Sequence, residues 1–345
     1  MRQLSVKGLQ GSSEIFIGER LSNLTKFLPS TNVLIITDET VKGLYGHLFP
    51  KFSIIELAEA ETSKTLETVQ TAVSKMLELG VDRSWFIVAI GGGIVCDVAG
   101  FIASIYMRGI RFGFVSTTLL SQVDASVGGK NGVNFEGYKN ILGVFAQPEF
   151  VICDTFLLDT LSDDDILCGI AEIIKHALIA DEKMFSLLES EKEDILFLEN
   201  ELVEELVYRS ISIKSSIVNE DEREQGKRKL LNFGHTLGHA IEKVCGVPHG
   251  QSVAIGMKYA VKLSVNKGYL QESIADRIIV LIDSYGFPQI YVDEDKLILA
   301  MLKDKKKEGE DISFIYLKDI GVPIIRKIAF KDFKEDIHEL FKYSV

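Results

Sequence analysis

Short apolar runs rich in β-branched residues recur through the first 155 positions: NVLIITDE (32–39), FSIIEL (52–57), WFIVAIGGG (85–93), RFGFVSTT (111–118) and FVICDT (150–155). Between them lie segments such as TLETVQTAVSKMLELG (65–80), where apolar residues return every three or four positions, the spacing of one helix face. Apolar runs bounded by glycine or acidic residues suit strands covered on both faces. Their alternation with helical segments predicts an α/β sheet, largely parallel. After about residue 156 the pattern changes. SDDDILCGIAEIIKHALIADEKMFSLLESE (162–191) and ENELVEELVYRSISIKSSIVNEDERE (199–224) keep helical spacing with acidic faces between the apolar stripes. Ser162 followed by Asp163, Asp164 and Asp165 reads as an N-cap with an acidic first turn, and marks where a mainly helical half begins. Near the end, ISFIYLKDIGVPIIRKI (312–328) predicts two short strands around a Gly-Val-Pro turn. Residues 183–205 and the tail after 330 carry no motif, so solvated helix is the expectation there.

A chain of 345 residues exceeds the size at which one core usually keeps growing, which predicts two domains. Its balance of 46% hydrophobic and 26% charged residues is that of a globular protein. Asp and Glu number 50 against 38 Lys and Arg, a net charge of -12, so the surface repels nucleic acid and anionic membranes at long range. An anionic small molecule remains a suitable partner where basic residues converge in one cleft. The four cysteines form no CxxC pair, which argues against a disulfide framework and a thiolate zinc knot and fits a reducing cytosol. The N-terminus has no apolar signal core, and no run reaches the roughly 18 apolar residues of a membrane span. A soluble, cytoplasmic protein is expected.

Two regions carry candidate chemistry. WFIVAIGGGIVCDVAGFIASIY (85–106) runs from a strand through Gly91, Gly92 and Gly93 into a helix, where backbone N–H groups can meet a phosphate. A glycine triplet without the G-x-G-x-x-G spacing is as often a plain turn. Asp38, at the end of its strand, can hydrogen-bond ribose hydroxyls. SVGGKNGVN (126–134) invites a phosphate-loop reading, but Asp124 and Asn131 break the pattern, leaving Gly128, Gly129 and Lys130 as a loop carrying a cation. The second region is LNFGHTLGHAIEKVCGVPHG (231–250), with three of the six histidines within fifteen positions. His235 and His239 stand i,i+4, on one helix face, as a metal-binding pair requires. His249 follows a proline in a turn where packing gives it little to do. A catalytic zinc commonly adds a carboxylate. Glu172, a charge inside an apolar helix, is one candidate, and Glu242, whose simpler role is solvent-facing helix surface, is another. Cys245 is a weaker one. Spacing leaves the choice open.

Taken together, GGGIVCDVAGF, RGIRF, STTLLSQVDASVGGKNGVN, KNILGVF, GIAEIIKH, DEREQGKRKLLNFGHTLGHA and PHGQSVAIGM resemble the 3-dehydroquinate synthase family of sugar-phosphate cyclases, in family order from about residue 30 to 320. The resemblance implies an N-terminal Rossmann-like α/β domain (1–155) that binds NAD, followed by a mainly α-helical metal- and substrate-binding domain (156–345). It implies that the two enclose the active site, usually in a homodimer. At the matching positions the metal ligands are Glu172, His235 and His249, for zinc with cobalt as a substitute, while His239 lies beside the substrate. The NAD pattern falls on Asp38, Glu61, Lys64, Gly93, Ile94, Val95, Cys96, Asp97, Thr117, Thr118, Asp124, Lys130, Lys139 and Thr160. The substrate pattern falls on Arg108, Lys130, Asn140, Lys175, Lys214, Arg228, Asn232 and His239, with a cation from Lys305 or Lys306. Read singly, each of these Lys and Arg residues is more simply a solvated charge.

The implied reaction converts 3-deoxy-D-arabino-heptulosonate 7-phosphate into 3-dehydroquinate and phosphate, a phosphorus–oxygen lyase step in aromatic amino-acid biosynthesis. Transient oxidation, phosphate elimination, reduction, ring opening and aldol closure fall within one turnover. Three alternatives share parts of the pattern. A cyclase of the valiolone or scyllo-inosose type would keep the metal and NAD residues. A metal-dependent alcohol or glycerol phosphate dehydrogenase would release NADH. A non-catalytic ligand-sensing homologue would have lost a metal ligand or Lys130, and neither is missing.

Overall fold

The computed structural model describes residues 1–8, 11–58, 61–305 and 311–342. Two compact units divide the chain: Met1–Leu161 with Asn200–Glu222, and Ser162–Glu199 with Arg223–Val345. The chain passes between them after Leu161, Glu199 and Glu222, so neither unit is contiguous in sequence.

The first unit is built on strands β1 (Arg2–Gly8), β2 (Gly11–Ile17), β3 (Val33–Asp38), β4 (Ser53–Leu57), β5 (Phe86–Gly91), β6 (Arg111–Ser116), β7 (Lys130–Phe135), β8 (Tyr138–Phe145) and β9 (Phe150–Cys153), with helices α1 (Glu39–Tyr45), α2 (Leu66–Glu78) and α3 (Gly93–Ile105) between them. Seven strands form one sheet in the order β1-β2-β9-β6-β5-β3-β4. Every pairing in it is parallel except that of β1 with β2. The largely parallel α/β sheet expected from the apolar runs is therefore present, and β5 is buried at all of its positions. Phe86 of β5 stacks on Phe150 of β9 at 5.7 Å, inside a core that also holds Leu21, Val33, Ile35, Val88, Val115 and Ile152.

Strand order places a ligand crevice. From β3 the chain moves out to β4, returns to the other side of β3 as β5, and continues through β6 to β9. Such a reversal opens a crevice beyond the carboxyl ends of the two strands that flank it. Here those ends are Asp38 of β3 and Gly91 of β5.

Two hairpins were not legible in the sequence. β1 and β2 form the first, and β7 with β8 the second, a separate two-stranded sheet in which Lys130 faces Phe145 and Gly132 faces Gly143. Lys130, expected in a loop, opens β7; Gly128 and Gly129, both at positive φ, stay in the loop before it.

Asp154, just after β9, ties this unit together. Its buried carboxylate accepts hydrogen bonds from the N–H of Leu21 (2.8 Å) and of Phe156 (3.2 Å) and faces the Arg20 guanidinium. Hydrogen bonds to a charged group contribute roughly 1.5–3 kcal/mol each. Asp154→Ala is thus expected to lower stability by about 3 kcal/mol, read as a lower urea midpoint. An unchanged midpoint would mean that water replaces the carboxylate at both N–H groups.

The second unit holds α4 (Asp163–Ala180), α5 (Glu182–Ser190) and α6 (Lys192–Leu196); helix Asn200–Glu220 of the first unit is α7. It continues with α8 (His235–Cys245), α9 (His249–Asn266), α10 (Glu272–Ser284), α11 (Glu294–Lys305), the hairpin β10 (Asp311–Asp319) and β11 (Val322–Ala329), and α12 (Phe330–Lys342). Ser162 caps α4, its side chain accepting from the Asp165 N–H, above three acidic first-turn residues. The hairpin turns at Ile320 and Gly321, whose φ is +79°, so Val322 and Pro323 already belong to β11. Residues 183–205 and the tail are more than solvated helix. Met184, Phe185, Leu188, Ile195 and Val203 are buried there, as are Phe330, Phe333, Ile337 and Leu340 of α12. No described helix is long and apolar enough to cross a membrane.

Candidate active site

α4 is buried on nearly every side, and it carries Glu172, Lys175 and His176, together with the Cys168 thiol, into that interior. Glu172 is fully buried, which is costly for a carboxylate without compensating charge. The compensation is visible. Lys175, one turn on, pairs with Oε2, while Nε2 of His235 and Nε2 of His249 lie 3.4 and 3.5 Å from Oε1. Burial pushes the Glu172 carboxyl up, but Lys175 and His235 outweigh it and hold the group well below the ordinary carboxylate range. For His249, burial works against the charged ring, yet hydrogen bonds to Glu172 and Glu242 push its pKa up to about 9.

The Lys175 ammonium meets Oε2 and the two imidazoles face Oε1, and ligand atoms of Glu172, His235 and His249 all lie within 4.8 Å of one another. A buried carboxylate faced by two imidazole nitrogens is a donor set that fits a divalent metal of the zinc kind. His239 stands beside this trio, its ring 5.3 Å from that of His235 and 5.8 Å from that of His249, and is exposed. Helix spacing does bring His235 and His239 to one face, but the third converging group comes from α4 and the fourth from α9. Cys245, at the end of α8, lies outside the cluster, and burial pushes its thiol up.

Glycines let the three helices approach. A Cβ on Gly250 would overlap the backbone of Cys168 in α4, and one on Gly256 would overlap the carbonyl of Gly234 and the N–H of Gly238. The first contact draws the start of α9, with His249, against the helix of Glu172. The second draws α9 against α8, with His235. Glu242 differs from its expected solvent-facing role: Oε2 lies 3.4 Å from Nδ1 of His249. The sequence offered it as an alternative metal carboxylate or as helix surface, and its pairing with His249 was not anticipated, although the i, i+4, i+7 spacing of His235, His239 and Glu242 puts all three on one face of α8.

The other sequence-selected residues divide between the units. In the second, Arg228 is buried in the turn before α8, and Asn232 donates from Nδ2 to Glu224. Lys305 closes α11, and Lys306 lies outside the described residues. In the first, Lys214 of α7 is buried and its Nζ meets both the carboxylate and the carbonyl of Asp124, the latter at 2.6 Å. Lys130, Lys139 and Asn140 are exposed on the β7–β8 hairpin, with Asn140 at φ +51°. Arg108 is exposed in a turn where Met107 and Arg108 both take positive φ.

At the sheet crevice, Asp38 Oδ1 accepts from the Val41 N–H at 2.7 Å, so one carboxylate oxygen caps α1. Gly92 is the N-cap of α3 and packs its bare Cα toward Thr118. As N-cap, Gly92 supplies no side-chain hydrogen bond to that helix, so the first N–H groups, at Gly93 and Ile94, are left for a ligand at the crevice. Val95 and Cys96 are buried, and burial pushes the Cys96 thiol up, so only their backbone is placed to meet a ligand. Lys64 is buried and pairs with Asp97. Glu61 accepts from Asn134 Nδ2 at 2.8 Å. The buried Thr117 hydroxyl has no hydrogen bond, Thr118 bonds Ser121, and Thr160 bonds the Tyr45 hydroxyl at 2.8 Å.

Comparison with known proteins places this architecture. A 2-deoxy-scyllo-inosose synthase solved with carbaglucose-6-phosphate, NAD+ and Co2+ superposes with a TM-score of 0.87 at 26% identity, covering 98% of this chain and 100% of that one. A 2-epi-5-epi-valiolone synthase from Streptomyces hygroscopicus subsp. jinggangensis, with NAD+ and Zn2+ bound, superposes with a TM-score of 0.87 at 25% identity and 99% coverage of both chains. The fold is that of the sugar-phosphate cyclases. Within that class, the family profile for the 3-dehydroquinate synthase N-terminal region matches residues 54–168 and that for the C-terminal region matches 169–307. A 3-dehydroquinate synthase of Thermoanaerobacter pseudethanolicus is 43% identical over 309 residues, 86% of this chain and 87% of that protein. The chain belongs to the 3-dehydroquinate synthase family.

Proposed function

We propose that this enzyme converts 3-deoxy-D-arabino-heptulosonate 7-phosphate into 3-dehydroquinate and phosphate, as a phosphorus–oxygen lyase of the cytoplasm acting as a homodimer. The observation that carries the reading is the fully buried Glu172 facing two imidazoles, in a chain of this family. In this reading residues 1–155 hold the dinucleotide and 156–345 the metal and much of the substrate. The homodimer and the cytoplasmic location carry over with the family.

Glu172, His235 and His249 would hold the metal, and the crevice residues Asp38, Glu61, Lys64, Gly93 to Asp97, Thr117, Thr118, Asp124, Lys130, Lys139 and Thr160 would hold NAD. When bound, the metal supplies Lewis acidity to substrate hydroxyl and carbonyl oxygens, and NAD supplies a hydride acceptor. The rest falls to the chain. Arg108, Lys130, Lys175, Lys214 and Arg228 supply the cations that the carboxylate and phosphate of the substrate require. Three of these, Lys175, Lys214 and Arg228, are already desolvated, so their charge acts at low local dielectric. Asn140 and Asn232 offer hydrogen bonds that orient ring hydroxyls. His239, exposed beside the trio, takes up and returns a proton at an imidazole nitrogen.

Substrate and 3-dehydroquinate differ by the elements of phosphoric acid alone, so the net change is redox neutral and any hydride removed must be returned. With zinc-loaded protein, catalytic NAD and the heptulosonate phosphate, many phosphates are expected per NAD with no free NADH accumulating. NADH rising in step with substrate loss would instead establish a dehydrogenase. Turnover only with other sugar phosphates would establish a cyclase of the valiolone or inosose type.

A further inference from the structure

We propose that Glu242 is a positioning residue for the metal centre: it accepts a hydrogen bond from Nδ1–H of His249 and so keeps the Nε2 lone pair of that ring directed at the site. The inference rests on the reading of Glu172, His235 and His249 as metal ligands and extends it to a residue outside that set.

A neutral imidazole carries one ring hydrogen, and the partner of one nitrogen decides whether the other has a free lone pair. At His235 the partner is the carbonyl of Phe233, 3.1 Å from Nδ1. A carbonyl only accepts, so Nδ1 carries a hydrogen toward it, which leaves Nε2 as the nitrogen able to give its lone pair to a metal at the site. His249 repeats this arrangement with a side chain in place of the backbone. Its Nδ1 lies 3.4 Å from Glu242 Oε2, and its Nε2 lies 3.5 Å from the same Glu172 oxygen that His235 faces.

The two rings differ in how firmly they are held. The His235 side chain is 10% exposed, whereas that of His249, the first residue of α9, is 31% exposed. A ring with that freedom can rotate and exchange tautomers unless a partner holds it. Glu242 is the partner, its own side chain only 15% exposed. Partners of this kind orient metal-binding histidines and raise their basicity, and their loss typically costs about 10–100-fold in metal affinity.

The test measures zinc affinity by competition with a chromophoric chelator on the full chain, together with the visible spectrum of the cobalt-loaded protein. Folding of each variant is checked by circular dichroism. Glu242→Ala is expected to bind zinc about 10–100-fold more weakly and to shift the cobalt bands. Glu242→Gln, whose amide oxygen still accepts from Nδ1–H, is expected to recover most of the affinity. Wild-type affinity and an unchanged cobalt spectrum in Glu242→Ala would overturn the inference, as would a Gln variant no better than Ala. Absence of zinc binding in the wild type, or tight binding by Glu172→Gln, would instead overturn the ligand reading on which it rests.

Discussion

Glu172→Gln is expected to lose tight zinc binding and, with it, at least about three orders of magnitude in turnover. A metal acting as a Lewis acid contributes several kcal/mol of transition-state stabilisation, and each 1.36 kcal/mol is tenfold in rate. The amide is nearly isosteric but is a poor ligand, and it removes the charge that faces Lys175. Since breaking a buried ion pair costs about 3–5 kcal/mol, this variant is also expected to be less stable. His249→Ala separates the two effects, because it removes a ligand while leaving the Lys175–Glu172 pair intact. Both variants are expected to lose metal, and only the first to lose the ion pair. Metal content by atomic absorption after dialysis, alongside phosphate release, checks this. One tightly held zinc per chain in both variants would sink the assignment.

The second large effect concerns the other unit. Lys64→Met is expected to destabilise the protein by about 3 kcal/mol, the lower end for a buried pair because Asp97 keeps some exposure. Burial already pushes the Asp97 carboxyl above its ordinary value with Lys64 beside it. Without the lysine the carboxyl is raised further, and it lies in the first turns of α3, at the mouth of the crevice assigned to NAD. NAD affinity, followed by calorimetry, should fall with stability. The double variant Lys64→Met with Asp97→Leu removes the uncompensated charge and should recover most of the stability but not the affinity. Recovery of both would mean that the pair only holds the fold.

Much of this was legible in the chain. Strands β3, β5 and β9 are buried at nearly every position, so both of their faces are apolar, and that produces continuous apolar runs that periodicity detects. Ser162 and its acidic turn mark the start of α4 by local chemistry alone. The hairpin of β7 and β8 was not legible. Most of β8 is exposed, with Tyr138, Ile141 and Phe145 outward, so no buried face imposes an alternating pattern on it. Nor does the amphipathic pattern of α7 say which unit it joins: an apolar stripe specifies a need for burial, not a partner.

The candidate metal site divides in the same way. By itself the sequence determined which residue types were available, and that His235 and His239 share a helix face, because backbone geometry within one helix is set by local spacing. Only the tertiary structure decided that Oε1 of Glu172 faces His235 and His249, that His239 stands beside them, and that Glu242 turns inward to His249. Those relations depend on how closely α4, α8 and α9 approach, which the contacts at Gly250 and Gly256 allow. Interhelical distance is a property of packed surfaces, and no spacing along a single chain encodes it.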